Sequence, residues 1–207
     1  MTHVSFERLA DIVVKRGFDA RSMTAIAGPP GSGKSTIAER LVDQFNRREP
    51  GSSALLQMDG YHYDDAILRE RGLLHKKGSS ETFDTGGLLA MLDRLYTNVE
   101  KDIAVPVFDR SIEISRSAAR VIAGDVRHVV LEGNYLLLGA GDWAQMHRYY
   151  QTTVMLKVPE EELRRRLEKR WRNLSDSERQ AKIDDNDLPN GRLVFSRSVP
   201  AEFVLNN

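Results

Sequence analysis

The sequence predicts a three-layer α/β fold, in which a parallel sheet lies between two layers of helices and carries a small helical lid. Short apolar stretches typical of buried strands alternate with amphipathic helical segments along the 207 residues. A glycine-rich turn follows the first clear strand, and acidic residues follow later strands. A chain of this length can bury a core without disulfides. We therefore expect one domain over residues 1–207, with the lid at about residues 159–180.

Residues 28–35 read Gly-Pro-Pro-Gly-Ser-Gly-Lys-Ser and fit the P-loop pattern G-x-x-x-x-G-K-[ST]. The glycines of this pattern let backbone N–H groups converge on phosphate oxygens. Lys34 would attract the β- and γ-phosphates of ATP, and the Ser35 hydroxyl would bind Mg²⁺. The required context is present, because an apolar strand precedes the loop and a helical pattern follows it. The residues expected to contact the nucleotide are Gly28, Gly31, Ser32, Gly33, Lys34, Ser35 and Thr36.

Hydrophobic periodicity, together with the positions of Gly and Pro, predicts the other elements in order. Helices are expected at residues 6–16, 34–45, 87–99 and 160–171, and buried strands at 22–27, 54–58, 128–133 and 152–158. Pro106 argues that the extended stretch 103–108 is not a central strand. Residues 61–74 are expected to be irregular or helical, and residues 110–122 to form a strand followed by a helix.

Composition narrows the class of function. Thirty Lys and Arg residues balance thirty Asp and Glu residues, so no net charge attracts nucleic acid or an anionic membrane. The chain has no cysteine, which excludes disulfides, thiolate metal sites and a cysteine nucleophile. No stretch of the sequence has the apolar character of a secretion signal or the length of a membrane span. We expect a cytoplasmic protein.

Two acids end predicted strands, at the edge of the parallel sheet where ligands bind. Asp59 is interpreted as the general base that accepts the proton of an acceptor hydroxyl, and the alternative is a plain Asp-Gly turn. Glu132 would hold Mg²⁺ or support the base, and the alternative is a turn carboxylate. The division of base and metal roles between them stays open. Both should converge with Arg110 and the P-loop on one cleft.

Three arginines carry positive charge of the kind that phosphoryl transfer needs. Arg110 follows the stretch 103–108 and would bring a bidentate cation to the acceptor or to the transferring phosphate, unless it only pairs with Asp109 at the surface. Arg166 and Arg170 share one face of the last predicted helix. They would close over ATP as part of the lid, and the alternative is a solvated face balanced by glutamates.

Two further motifs are discounted. Residues 84–87 read Asp-Thr-Gly-Gly and match the D-x-x-G of GTP-binding proteins, but no N-K-x-D guanine motif follows, so GTP is disfavoured. His62 lies between two tyrosines and has no second His at ligand spacing. It is interpreted as part of a substrate wall and not as a metal ligand.

Seven motifs resemble, in order, those of a known family. They are Gly-Pro-Pro-Gly-Ser-Gly-Lys-Ser-Thr (28–36), Met-Asp-Gly-Tyr-His (58–62), Glu-Thr-Phe-Asp (81–84), Pro-Val-Phe-Asp-Arg (106–110), Val-Leu-Glu-Gly-Asn-Tyr-Leu-Leu-Leu (130–138), Val-Pro-Glu-Glu-Glu-Leu-Arg-Arg-Arg-Leu (158–167) and Asn-Asp-Leu-Pro-Asn (186–190). The chain resembles the uridine kinase, phosphoribulokinase and bacterial pantothenate kinase family of P-loop kinases. Within that family it is most similar to the fructokinase-like branch named fructose transport system kinases.

The resemblance implies roles for individual residues. It makes Asp59 the catalytic base, assigns Glu132 to the metal, and gives Arg166 and Arg170 phosphate contacts. It places the C-terminal Asn-rich segment near the adenine, so Asn186 and Asn190 are candidates, with a plain turn at 189–191 as the alternative. The chain has Asp-Gly-Tyr-His where uridine kinases carry Asp-Ser-Phe-Tyr, which argues against uridine.

The function expected first is phosphoryl transfer, dependent on ATP and Mg²⁺, to a hydroxyl of a small metabolite, and a sugar such as fructose fits best. A pantothenate- or nucleoside-type kinase is an alternative. A nucleotide-gated regulator is another, although it would need neither Asp59 nor Arg110. A nucleotide kinase would need a second phosphate site, for which Lys76 and Lys77 are candidates. Whether the protein forms a homodimer stays open.

Overall fold

The structure is a computed structural model that describes residues 1–17 and 20–207. Its strands are β1 (Thr2–His3), β2 (Ser22–Ala27), β3 (Ser53–Gln57), β4 (Asp102–Asp109), β5 (Ile114–Ala123), β6 (His128–Gly133), β7 (Thr152–Lys157) and β8 (Phe203–Asn206). Six of them form a parallel sheet in the order β1-β8-β7-β2-β6-β3. The other two, β4 and β5, pair as an antiparallel hairpin. The predicted parallel sheet is confirmed, and β1 and β8 extend it beyond the predicted strands.

Helices lie on both faces of this sheet. They are α1 (Phe6–Arg16), α2 (Lys34–Arg48), α3 (Asp65–Glu70), α4 (Thr85–Thr97), α5 (Gly141–Gln145), α6 (Glu160–Arg170), α7 (Asp176–Ala181) and α8 (Leu188–Arg197). A 3-10 turn at Met58–Tyr61 follows β3, and a π-helix at Lys182–Asp187 joins α7 to α8. Within the described residues, no helix combines the length and the apolar character needed to cross a bilayer.

The central strand β2 divides its side chains between two apolar layers, because successive residues of a strand point to opposite faces. Met23 and Ala25 pack in a core with Leu92 of α4. Ile26 packs in a second core with Leu41 of α2. All residues of β2 and β6 are buried, as is typical of parallel strands that are covered on both faces. The predicted layering of helix, sheet and helix is therefore confirmed.

The segment after β4 departs from the sequence-based expectation. The prediction of a helix within residues 110–122 is wrong, because Ile114–Ala123 continue as one strand paired along β4. Pro106 lies at an irregularity of this ladder, between Val105 and Val107, since proline has no N–H to donate. The hairpin lies outside the parallel sheet. Arg110 therefore follows a strand, as expected, but this strand belongs to the hairpin and not to the parallel sheet.

The C-terminal segment also differs from one expectation. The turn considered at residues 189–191 does not form, because these residues lie in the first turns of α8. Pro189 is the second residue of α8, and because it has no N–H it donates no hydrogen bond back to the preceding π-helix. The helix follows directly on the π-helix, so residues 182–197 run as one helical stretch.

The hairpin docks on the turn that follows β3 and so fixes the position of Asp59. The Ser115 hydroxyl donates to the Gly60 carbonyl, and Arg120 Nη1 donates to the Leu55 carbonyl at 2.7 Å. Gly60 lies so close to β4 that a Cβ built on it would be 2.8 Å from the Pro106 carbonyl oxygen. Only a glycine lets these two backbones approach in this way.

We predict that Gly60→Ala destabilises the protein by about 1–3 kcal/mol, the usual range for overpacking against a backbone that cannot yield. The matched control is Gly86→Ala in α4, where the new Cβ would meet its nearest atom, Asp84 Oδ1, at 3.7 Å. That substitution should leave the free energy of unfolding unchanged, or raise it by up to about 1 kcal/mol through helix propensity. Denaturant unfolding of both variants checks the difference, and equal stabilities would contradict it.

Candidate active site

The P-loop connects β2 to α2 and presents free backbone donors. Gly31 and Gly33 have φ of +78° and +84°, a region that side chains rarely adopt. Lys34 is the first residue of α2, as predicted, and within the described part of the chain no side chain caps this helix end. The first-turn N–H groups of α2 are therefore available for an anion, and the helix dipole favours one there.

Strand register brings the other candidate residues to the same edge of the sheet. Ala27 at the end of β2 is level with Gly133 of β6, and Gln57 at the end of β3 is level with Glu132. Lys34, Asp59 and Arg110 line one small cavity of about 70 Å³. The predicted convergence on one cleft is therefore confirmed for these side chains, although Arg110 arrives from the hairpin.

Asp59 is held as a charged carboxylate. Its Oδ2 accepts a hydrogen bond from Arg110 Nη2 at 2.7 Å. Burial acts to raise the pKa of Asp59, but the positive charges around it, those of Arg110 and Lys34 among them, keep the pKa below its usual range. The Arg110 side chain thus pairs with Asp59, whereas Asp109 accepts from Ser111 and pairs with Arg116. The surface pair of Asp109 with Arg110 considered above does not form.

Glu132 is the most deeply buried acid of the cleft, with 2% of its surface exposed. Burial raises the pKa of its carboxyl, while the charge of Lys34 and the side chain of Ser35 act to lower it. Its Oε1 has no hydrogen-bond partner among residues 1–17 and 20–207. An oxygen of this kind, buried and unpartnered beside a serine hydroxyl, has the donor chemistry of a Mg²⁺ ligand.

Lys34 balances the two acids. Burial lowers the pKa of its ammonium group, and the charges of Glu132 and Asp59 act against that decrease. The three groups belong to different segments of the chain, the start of α2, the turn after β3 and the end of β6. The cleft therefore joins one P-loop cation to two carboxylates.

The four arginines of α6 differ in their contacts. Arg164 pairs with Asp184, and Arg165 and Arg166 share the Glu162 carboxylate. Arg166 Nη1 approaches the Gly31 and Ser32 carbonyls at 3.5 and 3.3 Å. Arg170 lines the small cavity. The arginines predicted to contact phosphate are therefore the two that face the cleft, and their lid role stays a prediction.

The Asn-rich segment has partners within the chain. Asn186 Nδ2 donates to the Lys77 carbonyl at 2.9 Å, and Asn190 Nδ2 donates to Asn186 Oδ1 at 2.9 Å. Both side chains are buried. They tie the helical stretch after α7 to the loop at Lys77, and a contact of Asn186 with adenine stays a prediction.

Sequence reasoning missed several residues that lie at this site. Asn207 Nδ2 donates to the Ser32 carbonyl at 2.7 Å. Trp171, Lys182 and Asp187 line the small cavity, and Trp171 Nε1 donates to Asp187 Oδ2 at 2.7 Å. Asp187 stands in the motif at 186–190, which was the available signal for it. The other three reach the site through contacts between distant segments, and no local pattern marks them.

A larger cavity of about 560 Å³ opens beside the small one, on the side of the hairpin. His62, Lys77 and Glu113 line both cavities. The His62 ring packs 4.1 Å from the Phe83 ring and 4.8 Å from the Phe108 ring, measured between centroids. Burial lowers the pKa of His62, which keeps the ring neutral. Its predicted place in a wall of the cleft agrees with these contacts.

Known proteins share this arrangement of sequence and fold. A family model described as AAA domain matches residues 25–187. The chain is 31% identical to a protein of Silicibacter sp. TM1040 provisionally named a fructose transport system kinase. The two structures superpose with a TM-score of 0.88 over 97% of this chain and 98% of that one.

Two curated relatives extend the comparison. A Schizosaccharomyces pombe protein provisionally named uridine kinase C227.14 is 28% identical over 197 residues, which are 89% of this chain and 83% of that protein. The uncharacterised protein YggC of Escherichia coli (strain K12) is 30% identical over 149 residues, 71% of this chain. The chain spans 60% of the length of that relative. These matches confirm the resemblance drawn from the motifs.

We predict that Glu132→Gln, without nucleotide, leaves the free energy of unfolding at pH 7 equal to or above that of the original chain. The pKa of Glu132 is raised in the folded state, so its charge destabilises the fold above that pKa, and the effect disappears as pH falls below 4.5. Denaturant unfolding at pH 7 and at pH 4 measures this, with the exposed Glu39→Gln as control. A loss of more than about 1 kcal/mol at pH 7, as for a broken hydrogen bond, would contradict it.

Proposed function

The chain belongs to this AAA domain family of P-loop proteins, and we propose that it is a kinase that transfers the γ-phosphoryl group of ATP to a hydroxyl of a small metabolite. The observation that carries the proposal is the pair Asp59–Arg110, which lies opposite Lys34 and beside the larger cavity. A phosphate site alone would serve any P-loop protein. A charged carboxylate in the small cavity, which shares His62, Lys77 and Glu113 with the larger one, would serve an acceptor.

On the donor side, the P-loop N–H groups and Lys34 would hold the β- and γ-phosphates. Arg166 and Arg170 reach the same space from α6, and would stabilise charge on the transferring group. Ser35 and Glu132 would hold Mg²⁺ together with phosphate oxygens. When bound, the ion supplies charge neutralisation between the phosphates.

On the acceptor side, Asp59 would receive the proton of the attacking hydroxyl. Its lowered pKa makes it a weak base, so its main work would be to orient the hydroxyl and take the proton late, as phosphoryl transfer allows. Arg110 holds the carboxylate in place at 2.7 Å. It lies at the point where the two substrates would meet.

A sugar such as fructose is the acceptor we propose first. Its support is the name of the Silicibacter relative and the similarity in fold over nearly the whole of both chains. Nucleoside- and pantothenate-type kinases are the alternatives within the same chemistry. A nucleotide-gated regulator is disfavoured, because it has no use for a carboxylate and an arginine beside a second cavity.

An acceptor panel tests the proposal. Release of ADP from ATP and Mg²⁺ should rise well above the background hydrolysis rate with at least one sugar, nucleoside or pantothenate. The kinase proposal would be contradicted if no acceptor accelerated ATP hydrolysis. If the protein also bound a protein partner with an affinity that depends on the nucleotide, the result would favour the nucleotide-gated regulator.

We predict that Asp59→Asn lowers kcat about 10²- to 10⁴-fold, the range typical of a lost general base. The affinity for ATP should change little, because the P-loop is intact. Steady-state kinetics and nucleotide titration measure the two quantities, with the exposed Asp43→Asn on α2 as the matched control. Full activity of Asp59→Asn would remove the base role from this residue.

We predict that Arg110→Gln moves the acid limb of the kcat/KM–pH profile to higher pH. Arg110 lowers the pKa of Asp59, so its removal raises that pKa, and protonation then inactivates the base earlier as pH falls. The control is Arg116→Gln on the same hairpin, whose side chain pairs with Asp109. An acid limb that moves equally in both variants would argue against the assignment.

A further inference from the structure

The larger cavity carries an excess of negative charge. Its lining acids are Asp64, Asp65, Asp84 and Glu113, and its lining bases are Lys77 and Arg94. His62 adds no charge, since burial lowers its pKa. An anion bound in this cavity would face more negative than positive charges. Contacts between like charges are strongly unfavourable.

Both bases of the cavity are already paired. Lys77 Nζ donates to Asp65 Oδ1 and to the Glu113 carbonyl, each at 2.6 Å. Arg94 makes a bidentate salt bridge with Glu100, in which Nε donates to Oε1 and Nη2 donates to Oε2, each at 2.7 Å. A carboxylate or phosphate ligand would have to break one of these pairs to find a partner. Lys76 lies 4.0 Å from Glu81, so both lysines considered for the second phosphate site of a nucleotide kinase already contact acids.

An independent observation indicates a ligand in this cavity. Tyr61 lines it with only 7% of its surface exposed, and its hydroxyl has no hydrogen-bond partner in the part of the chain that the structure describes. A buried hydroxyl without a partner is costly, unless a bound molecule supplies the partner.

Two carboxylates add acceptor atoms to the lining of the same cavity. Asp64 and Asp84 each use Oδ1 to cap a helix, accepting from Ala66 N at 2.8 Å and from Gly87 N at 2.9 Å. Both line the cavity where two backbone hydrogen bonds hold the turn at Tyr61 beside residues 82–84. Tyr63 N donates to the Thr82 carbonyl at 3.0 Å, and Asp84 N donates to the Tyr61 carbonyl at 2.8 Å. Carboxylates accept hydrogen bonds, and the groups that complement them are hydroxyl and ammonium donors.

We propose, on the premise that the chain is the kinase described above, that its acceptor is a polyhydroxy compound without negative charge, and that the Tyr61 hydroxyl is one of the groups that recognise it. Neutral and amine-bearing sugars belong to this class. Carboxylates, among them pantothenate, and phosphorylated acceptors do not. The charge of the cavity selects against them, and Tyr61 and the acids select for hydroxyl groups.

The first test compares acceptors that share a skeleton: glucose, glucosamine, gluconate and glucose 6-phosphate, and fructose with fructose 6-phosphate. ADP release should show kcat/KM at least about tenfold higher for a neutral or amine member than for its anionic counterpart. Anionic members that match or exceed their neutral counterparts would overturn the proposal.

The second test measures binding and does not need turnover. Calorimetric titration with gluconate, in the presence of saturating ADP so that the P-loop is filled, should show little binding to the original chain. Asp65→Asn should bind gluconate at least about fivefold more tightly, because it removes one acid and frees Lys77. Equal affinities for the two proteins would overturn the proposal, even if no sugar supports ADP release and the kinase itself is abandoned.

The third test separates recognition by Tyr61 from a structural role. Tyr61→Phe should raise the KM for the best neutral acceptor at least about fivefold, with the KM for ATP unchanged. Its melting temperature should stay equal or rise, because the lost hydroxyl has no partner within the described residues. Tyr96→Phe, at a side chain that is 52% exposed, is the matched control. A lowered melting temperature with an unchanged KM would assign Tyr61 to the fold alone.

Discussion

The site depends on the balance of charge between Lys34 and the two carboxylates of Asp59 and Glu132. Each group is expensive to bury alone, since burial raises the pKa of Glu132 and lowers that of Lys34. The parallel sheet makes the balance possible, because β2, β6 and β3 are neighbours and end at one edge. With neighbouring strands about 4.8 Å apart, the ends of these three strands span roughly 10 Å.

The two cavities have opposite electrical character. The P-loop side gathers Lys34, Arg110, Arg166 and Arg170 around the expected phosphates. The hairpin side gathers acids, and its two cations, Lys77 and Arg94, are paired with Asp65 and Glu100. Such a division would hold a polyanionic donor and admit an acceptor of different charge without competition between them. The near-zero net charge of the whole chain conceals this separation.

The sequence alone predicted features that are formed by neighbouring residues. It also predicted those that follow from the binding of ligands at the carboxyl ends of parallel strands. The P-loop is a contiguous motif, and Asp59 and Glu132 directly follow apolar runs, so their convergence could be inferred. Arg110 was placed correctly but for the wrong reason. It comes from a hairpin whose β5 strand reads Ile-Ser-Arg-Ser-Ala-Ala-Arg-Val-Ile-Ala. Because polar and apolar residues do not alternate there, the sequence did not distinguish this strand from a helix. Asn207 could not be found, since its contact joins residues 175 positions apart.

Tryptophan emission can report binding in the cleft. The chain has two tryptophans, and they lie in contrasting places. Trp143 packs among the rings of Phe83 and Tyr135 in the core. Trp171 lines the small cavity, with the Arg170 guanidinium 4.8 Å from its ring centroid and the Asp187 carboxylate on its indole nitrogen. Indole emission responds to nearby charge, so Trp171 gives the protein an intrinsic optical reporter of the donor side, with Trp143 as an internal reference.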